Sequence, residues 1–146
     1  TAPTATSKMI VSTKGRYALR VMVHFALHGG ERYIPLKEIA EAEGISQKYL
    51  ESIMTVLSKA DFVDAVHGKG GGYRLNRTPA EYTVGSILKL TEGSLAAVSC
   101  TSQGPAACSR SECCQTKPMW DKLDQMIDGF FEGITIADLL KENPIP

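Results

Sequence analysis

Between positions 17 and 27 nearly every site is apolar: Tyr17, Leu19, Val21, Met22, Val23, Phe25, Ala26 and Leu27. With Ser12 or Thr13 to cap it and Gly29-Gly30 to stop it, this run predicts a helix over residues 13–28 that is buried on several sides. A second, short helix is expected over 35–43, because Pro35 is tolerated at a helix start and Gly44 closes the pattern. Ser46 then caps a third helix, in which Leu50, Ile53, Met54 and Leu57 form the inward stripe. Gln47, Lys48, Glu51, Ser52, Thr55 and Lys59 are left outward.

After Asp61 the period shortens, and residues 62–66 and 73–75 read as strands around the tip His67-Gly68-Lys69-Gly70-Gly71-Gly72. Residues 82–92 predict a fourth helix carrying Val84, Ile87 and Leu88. Pro118 opens a long last helix whose Trp120, Leu123, Met126, Ile127, Phe130, Phe131 and Ile134 recur at helical spacing. That stripe is wider than one small domain can cover, so symmetric pairing of two copies is expected. Thr135 caps a short closing helix through Leu140.

The order of elements carries more information than any one of them. A helix-turn-helix needs a small residue at the crossing, a residue tolerant of positive φ at the turn, and apolar anchors. Ala40, Gly44 and the set Ile39, Ile45, Leu50 and Ile53 supply these. An ordinary αα-hairpin would show the same features, but a basic, glycine-rich β-hairpin follows directly. The fold class is therefore mainly α with a small β-hairpin wing: a winged helix-turn-helix plus a long C-terminal dimerisation helix. The expected organisation is a cloning remnant or frayed tail at 1–8, a DNA-binding unit at 9–92, a cysteine-bearing sensor loop at 93–117, and the dimerisation helix with its C-terminal segment at 118–146.

The net charge of zero hides a split. Residues 1–90 hold 12 Lys and Arg against 8 Asp and Glu, and residues 91–146 hold 4 against 8. A basic front half suits phosphate contact. No run of about 18 apolar residues exists, which argues against a membrane span. The one tight glycine run lacks the lysine and hydroxyl residue of a phosphate loop, and no serine-histidine-acid arrangement can be argued, so no enzymatic role is expected.

Cys100, Cys108, Cys113 and Cys114 lie within 15 positions, and no secretory signal is evident. In a reducing cytoplasm, the expected location, thiolate chemistry is favoured over a structural disulfide. An iron-sulfur cluster, a metal-free thiol switch and a four-cysteine zinc site all remain open, although the vicinal pair argues against zinc.

Three segments carry a specific resemblance: Ser12-Thr13-Lys14-Gly15-Arg16-Tyr17-Ala18, Gly44-Ile45-Ser46 with Tyr49-Leu50-Glu51, and Gly68 through Gly70-Gly71-Gly72-Tyr73. From Met9 to about Leu140 the chain resembles the Rrf2 family of bacterial transcription regulators, and within it the branch that senses iron-sulfur clusters. The resemblance implies a cytoplasmic homodimer that binds double-stranded DNA, most simply as a repressor. By position, Ser46, Lys48, Tyr49, Glu51 and Ser52 would start the recognition helix. Lys14, Arg16 and Tyr17 would meet the backbone, and His67 and Lys69 would form the wing probe. His67 replaces the arginine that branch tends to carry, and Lys69 supplies a charge two residues on.

The resemblance also implies three cysteine ligands, Cys100, Cys108 and Cys114, for a 2Fe-2S or 4Fe-4S cluster; five residues separate the last two, and Trp120 anchors the alignment. Lys117 stands where that branch places a histidine ligand, and an ammonium cannot ligate. The fourth ligand would then come from Cys113, Glu112, the partner subunit or a small molecule. The rival readings are a thiol- or cysteine-responsive repressor without a cluster, an iron-sulfur carrier, and a winged-helix module that docks a protein. Sequence-specific DNA binding separates the regulators from the last two.

Overall fold

The computed structural model describes residues 11–96 and 115–141. In chain order the elements are α1 (Thr13–His28), α2 (Leu36–Glu43), α3 (Gln47–Lys59), β1 (Val63–Val66), β2 (Gly72–Leu75), a 3-10 turn (Pro79–Glu81), α4 (Val84–Glu92), α5 (Lys117–Glu132) and α6 (Ile136–Leu139). Several helix boundaries have a local cause. Ser12, Ser46 and Thr83 cap α1, α3 and α4 by accepting from the amides of Gly15, Tyr49 and Ser86. Gly44, at φ 66°, turns the chain out of α2 in a conformation that a side chain would disfavour.

α1 is the hub. Ala18, Val21, Met22 and Phe25 are fully buried and share one core with Ile39 of α2, Leu50, Ile53, Met54 and Leu57 of α3, Val63 of β1 and Ile87 of α4. Ile136 of α6 returns to that same core. Strands β1 and β2 pair antiparallel, Val63 opposite Leu75 and Val66 opposite Gly72. A further bridge joins Ile34 to Tyr73, with N–H···O distances of 2.8 and 2.9 Å, and ties the hairpin to the approach to α2. Periodicity does not reveal this bridge, because Ile34 is one apolar residue in a loop.

Several boundaries differ by a residue or two from the sequence expectation. β1 begins one residue later, at Val63, and β2 one residue earlier, at Gly72, and both end where expected. The last long helix begins at Lys117, with Pro118 in its first turn. The fourth helix begins at Val84 instead of 82, because Tyr82 is extended (φ −104°, ψ 118°) and Thr83 serves as the cap.

Tyr82 has another task. Its fully buried hydroxyl donates to the Phe62 carbonyl at 2.8 Å and accepts from the amides of Asn76 and Arg77, each at 3.1 Å. Burial holds this phenol above the ordinary tyrosine range, so it stays a neutral donor. Asp61, at φ 60°, ends the turn after α3, its amide bonding the Ser58 carbonyl while that of Phe62 reaches Leu57. The Asp61 carbonyl also accepts from Asn76 and Arg77 side chains. Both ends of the wing are thereby fastened to the end of α3.

α5 lies against α4 through a smaller cluster of Val84, Leu88, Leu95 and Ile134, flanked by Ile127 and Phe131. Lys89 of α4 bridges Asp128 and Glu132 of α5. Those two carboxylates hold its ammonium above the usual lysine range. A raised lysine stabilises fully below its unfolded value of about pH 10.4, and the contribution fades only as pH climbs through the folded value. This clasp is therefore intact at neutral pH. Among the described residues no helix is long and apolar enough to cross a membrane.

Tyr82→Phe leaves the amides of Asn76 and Arg77 without their acceptor and the Phe62 carbonyl without its donor. It should lower unfolding stability by about 1–3 kcal/mol in urea titration and speed hydrogen exchange at Asn76 and Arg77. Unchanged exchange at those amides would refute the anchoring role.

Candidate nucleic-acid interface

The outer face of α3 is polar because its inner face is spent on the core. Ser46, Gln47, Lys48, Glu51, Ser52, Thr55 and Lys59 are exposed. The first turn has no acidic residue, and only the Tyr49 amide is taken by the Ser46 hydroxyl, at 3.2 Å. The amides of Gln47 and Lys48 lie outside the helix's own ladder and, with the positive end of the macrodipole, suit an anionic oxygen. Ser52 donates to the Tyr49 carbonyl at 2.6 Å, which leaves its oxygen lone pairs outward. Glu51 offers acceptors only, the complement of a cytosine amino group.

The candidates on α1 and α3 are brought together by an aromatic contact. The rings of Tyr17 and Tyr49 meet edge to face with centroids 5.8 Å apart, and the Arg20 guanidinium lies 5.2 Å from the Tyr17 centroid. Tyr49 is half-buried, so it carries packing as well as any contact it makes outward.

Ion pairing sorts the cations into two groups. Arg20 is bound to Glu43, Arg32 to Glu38, Arg74 to Asp64, Lys89 to Asp128 and Glu132, and Lys141 to Asp138. Among the described residues Lys14, Arg16, Lys48, Lys59 and Lys69 on the candidate elements enter no ion pair, nor do Lys37, Arg77 and Lys122 elsewhere, and Arg16 only reaches the Thr13 hydroxyl at 3.3 Å. His67 and Lys69 stand exposed at the hairpin tip, and no hydrogen bond joins them to α1 or α3. The hairpin's position is set at its base, by the Ile34–Tyr73 bridge and by Arg74 stacked 4.5 Å from the Tyr33 centroid.

Two residues that sequence reasoning passed over complete this frame. Glu43, the last residue of α2, accepts from Arg20 and lies 3.2 Å from Nδ1 of the buried His24, so both α1 side chains hold the turn of the helix-turn-helix. Glu92 does the corresponding work at the start of α1. Neither had a local signal, since each acts on a residue distant in sequence.

Cys100, Cys108, Cys113 and Cys114 lie outside the described residues. Among the described residues no group of three His, Cys, Asp or Glu is placed to hold a metal. Lys117 is described, and its Nζ lies 2.7 Å from Asp121 in an ion pair.

Residues 11–142 match the family model Rrf2, described as iron-dependent transcriptional regulator. The chain belongs to the Rrf2 family. It is 38% identical over 137 residues to the HTH-type transcriptional regulator IscR of Aliivibrio salmonicida, covering 94% of this chain and 80% of that one. The solved structure of T. potens IscR aligns at 38% identity with a TM-score of 0.72, covering 93% of this chain and 89% of that one. CymR, titled the global cysteine regulator of B. subtilis, aligns at 31% identity with a TM-score of 0.71, covering 88% and 94%. The helices and hairpin described above are thus those of a DNA-binding, winged-helix transcriptional regulator.

Lys48→Ala should weaken binding to all duplexes alike and reduce the slope of log affinity against log salt by about one. Tyr49→Ala should weaken binding and also lower the melting temperature, because it removes the contact to Tyr17. A salt slope that does not move in Lys48→Ala would take this lysine off the phosphate path.

Proposed function

We propose that this chain is a homodimeric regulator, most simply a repressor, that reads a near-palindromic operator and alters its affinity or site choice with the state of a cluster held by Cys100, Cys108 and Cys114. The observation that carries the DNA part is the distribution of unpaired charge. Lys14 and Arg16 on α1, Lys48 on α3 and Lys69 on the wing enter no ion pair among the described residues, so each of the three elements that a winged helix turns to DNA carries an uncommitted cation. In this reading Ser46, Lys48, Tyr49, Glu51 and Ser52 enter the major groove, Lys14, Arg16 and Tyr17 meet the flanking backbone, and His67 and Lys69 follow the neighbouring strand.

The cluster reading is supported by the iron-dependent description of the family model, by the IscR relatives, and by the five-residue spacing between Cys108 and Cys114. A cluster held by three thiolates and one weaker ligand would supply a redox-labile group whose presence is itself the signal. The likeness to CymR favours a second reading, a thiol- or cysteine-responsive repressor without a cluster.

Pairing of two copies is supported by α5. None of its residues is buried, and Met119, Leu123, Met126 and Phe130 are 55%, 36%, 60% and 54% exposed. With Val11, Ile127 and Phe131 the last three line an apolar groove of about 470 Å³. A second copy of the helix is the occupant that closes such a face symmetrically.

Selection from a random duplex library should enrich a motif with two related half-sites, and failure to enrich any would remove the DNA-binding reading. Protein purified without oxygen should carry iron and sulfide with a visible absorption band. Alanine at Cys100, Cys108 or Cys114 should abolish that band and leave a folded dimer. A colourless wild-type protein whose DNA binding responds to thiol oxidation would favour the second reading.

Phe130→Asp places a charge in the apolar groove and should convert the dimer to a monomer in sedimentation. An unchanged dimer would show that another face makes the contact.

A further inference from the structure

Glu92 sits at the wrong end of its own helix. It closes α4, where unsatisfied carbonyls give a helix a partial negative charge that a carboxylate opposes. Its side chain instead crosses to the start of α1, where Oε1 accepts from the Ser12 amide at 2.8 Å and from the Ser12 hydroxyl at 2.6 Å. The Ser12 oxygen in turn accepts from the Gly15 amide at 3.2 Å. α1 has no acidic residue in its first turn, so Glu92 supplies from 80 positions away the anion that this end of the helix favours.

The packing at this point is built around the same contact. A Cβ on Gly15 would stand 2.4 Å from Oε1 of Glu92, 3.1 Å from Oγ1 of Thr91 and 3.2 Å from Cδ2 of Leu88. A side chain at this position would have to push the Glu92 carboxylate away from Ser12. The turn held in this way carries Lys14 and Arg16, and the residue after Glu92 begins the segment that contains the cysteines.

We propose that Glu92 is a positioning residue for DNA binding: it holds the first turn of α1 in register for phosphate contact and is the point at which the chain beyond Gly93 acts on affinity. The inference rests on the DNA-binding reading above. Its direction follows from electrostatics. Docked on an N–H and an O–H, the carboxylate is compensated. Withdrawn from Ser12, it frees the start of α1 and leaves a bare negative charge near the turn that carries Lys14, beside the path of the phosphates. Both effects weaken DNA binding, so a rearrangement of the last turn of α4 lowers affinity without moving α3.

The test uses the full-length dimer and a duplex taken from the random-library selection, with affinity measured by fluorescence anisotropy at fixed salt. Glu92→Ala should lower affinity by about tenfold, the scale of a lost hydrogen bond to a charged group. Glu92→Gln, whose amide oxygen still accepts, should retain most of the affinity. In a Lys14→Ala background the Glu92→Ala loss should shrink to under about threefold, since contacting groups couple and separate ones add. The affinity ratio between cluster-loaded and cluster-free protein should fall toward one in Glu92→Ala.

Equal losses in both backgrounds, or a ratio that stays at its wild-type value, would overturn the proposal. Should Glu92→Ala not fold, Ser12→Ala removes the hydroxyl that donates to the carboxylate and must give the same pattern at smaller size, since the Ser12 amide still donates. A wild-type protein that enriches no duplex sinks the DNA-binding reading and this inference together. A wild-type protein that binds, paired with additive mutants, sinks this inference alone.

Discussion

The burial of α1 is the constraint on which the other elements depend. Ala18, Val21, Met22 and Phe25 are at most 1% exposed, and α2, α3, α4, the hairpin and α6 all pack toward that helix. Each large apolar side chain removed from water in this way contributes about 1.5–3 kcal/mol. A short helix such as α2, of eight residues, would not persist alone in water. It persists because Ile39 is buried against α1 and because Glu43 is held by Arg20 and His24 from the same helix. The orientation of α3, and so of any base-reading side chain on it, is inherited from α1.

Polar interactions add geometry to this apolar frame. Glu43, Glu92 and Tyr82 each join residues distant in sequence, and each acts at the edge of a candidate DNA-contacting element: the turn before α3, the start of α1, and the base of the wing. Charge pairing has a second consequence. Acidic residues of the rear half, such as Asp128, Glu132 and Asp138, are occupied by lysines within the fold, while Lys14 and Arg16 of α1, Lys48 of α3 and Lys69 of the wing enter no ion pair among the described residues. A chain with no net charge can therefore present a basic surface.

α5 follows the opposite logic to α1. It is moored to α4 by Lys89 and by the cluster around Leu88, yet most of its apolar stripe faces outward. A helix held on one side and open on the other suits a joint between two reading heads, because its placement against α4 sets the relation of any pairing face to α1 and α3.

How far the sequence carries can be judged element by element. The spacing of apolar residues, with capping Ser12, Ser46 and Thr135 and the stop at Gly44, was enough to place α1, α2, α3 and α6 within a residue or two, and the glycine-rich basic tip marked the wing. These are local properties, set by caps and by a helix period that any short window of sequence contains. The outward residues Lys48, Glu51 and Ser52 were legible for the same reason, being what the inward stripe of α3 leaves over. The true start of α4 was misplaced because Tyr82 resembles one more helical residue until its hydroxyl is seen to bond Phe62, Asn76 and Arg77. The Ile34–Tyr73 bridge, the Arg20–Glu43–His24 clasp and the Glu92–Ser12 cap belong to the tertiary structure alone. A carboxylate records its own charge in the sequence, but its partner is decided by which helix ends meet, and that follows from how the buried faces of α1 and α4 pack.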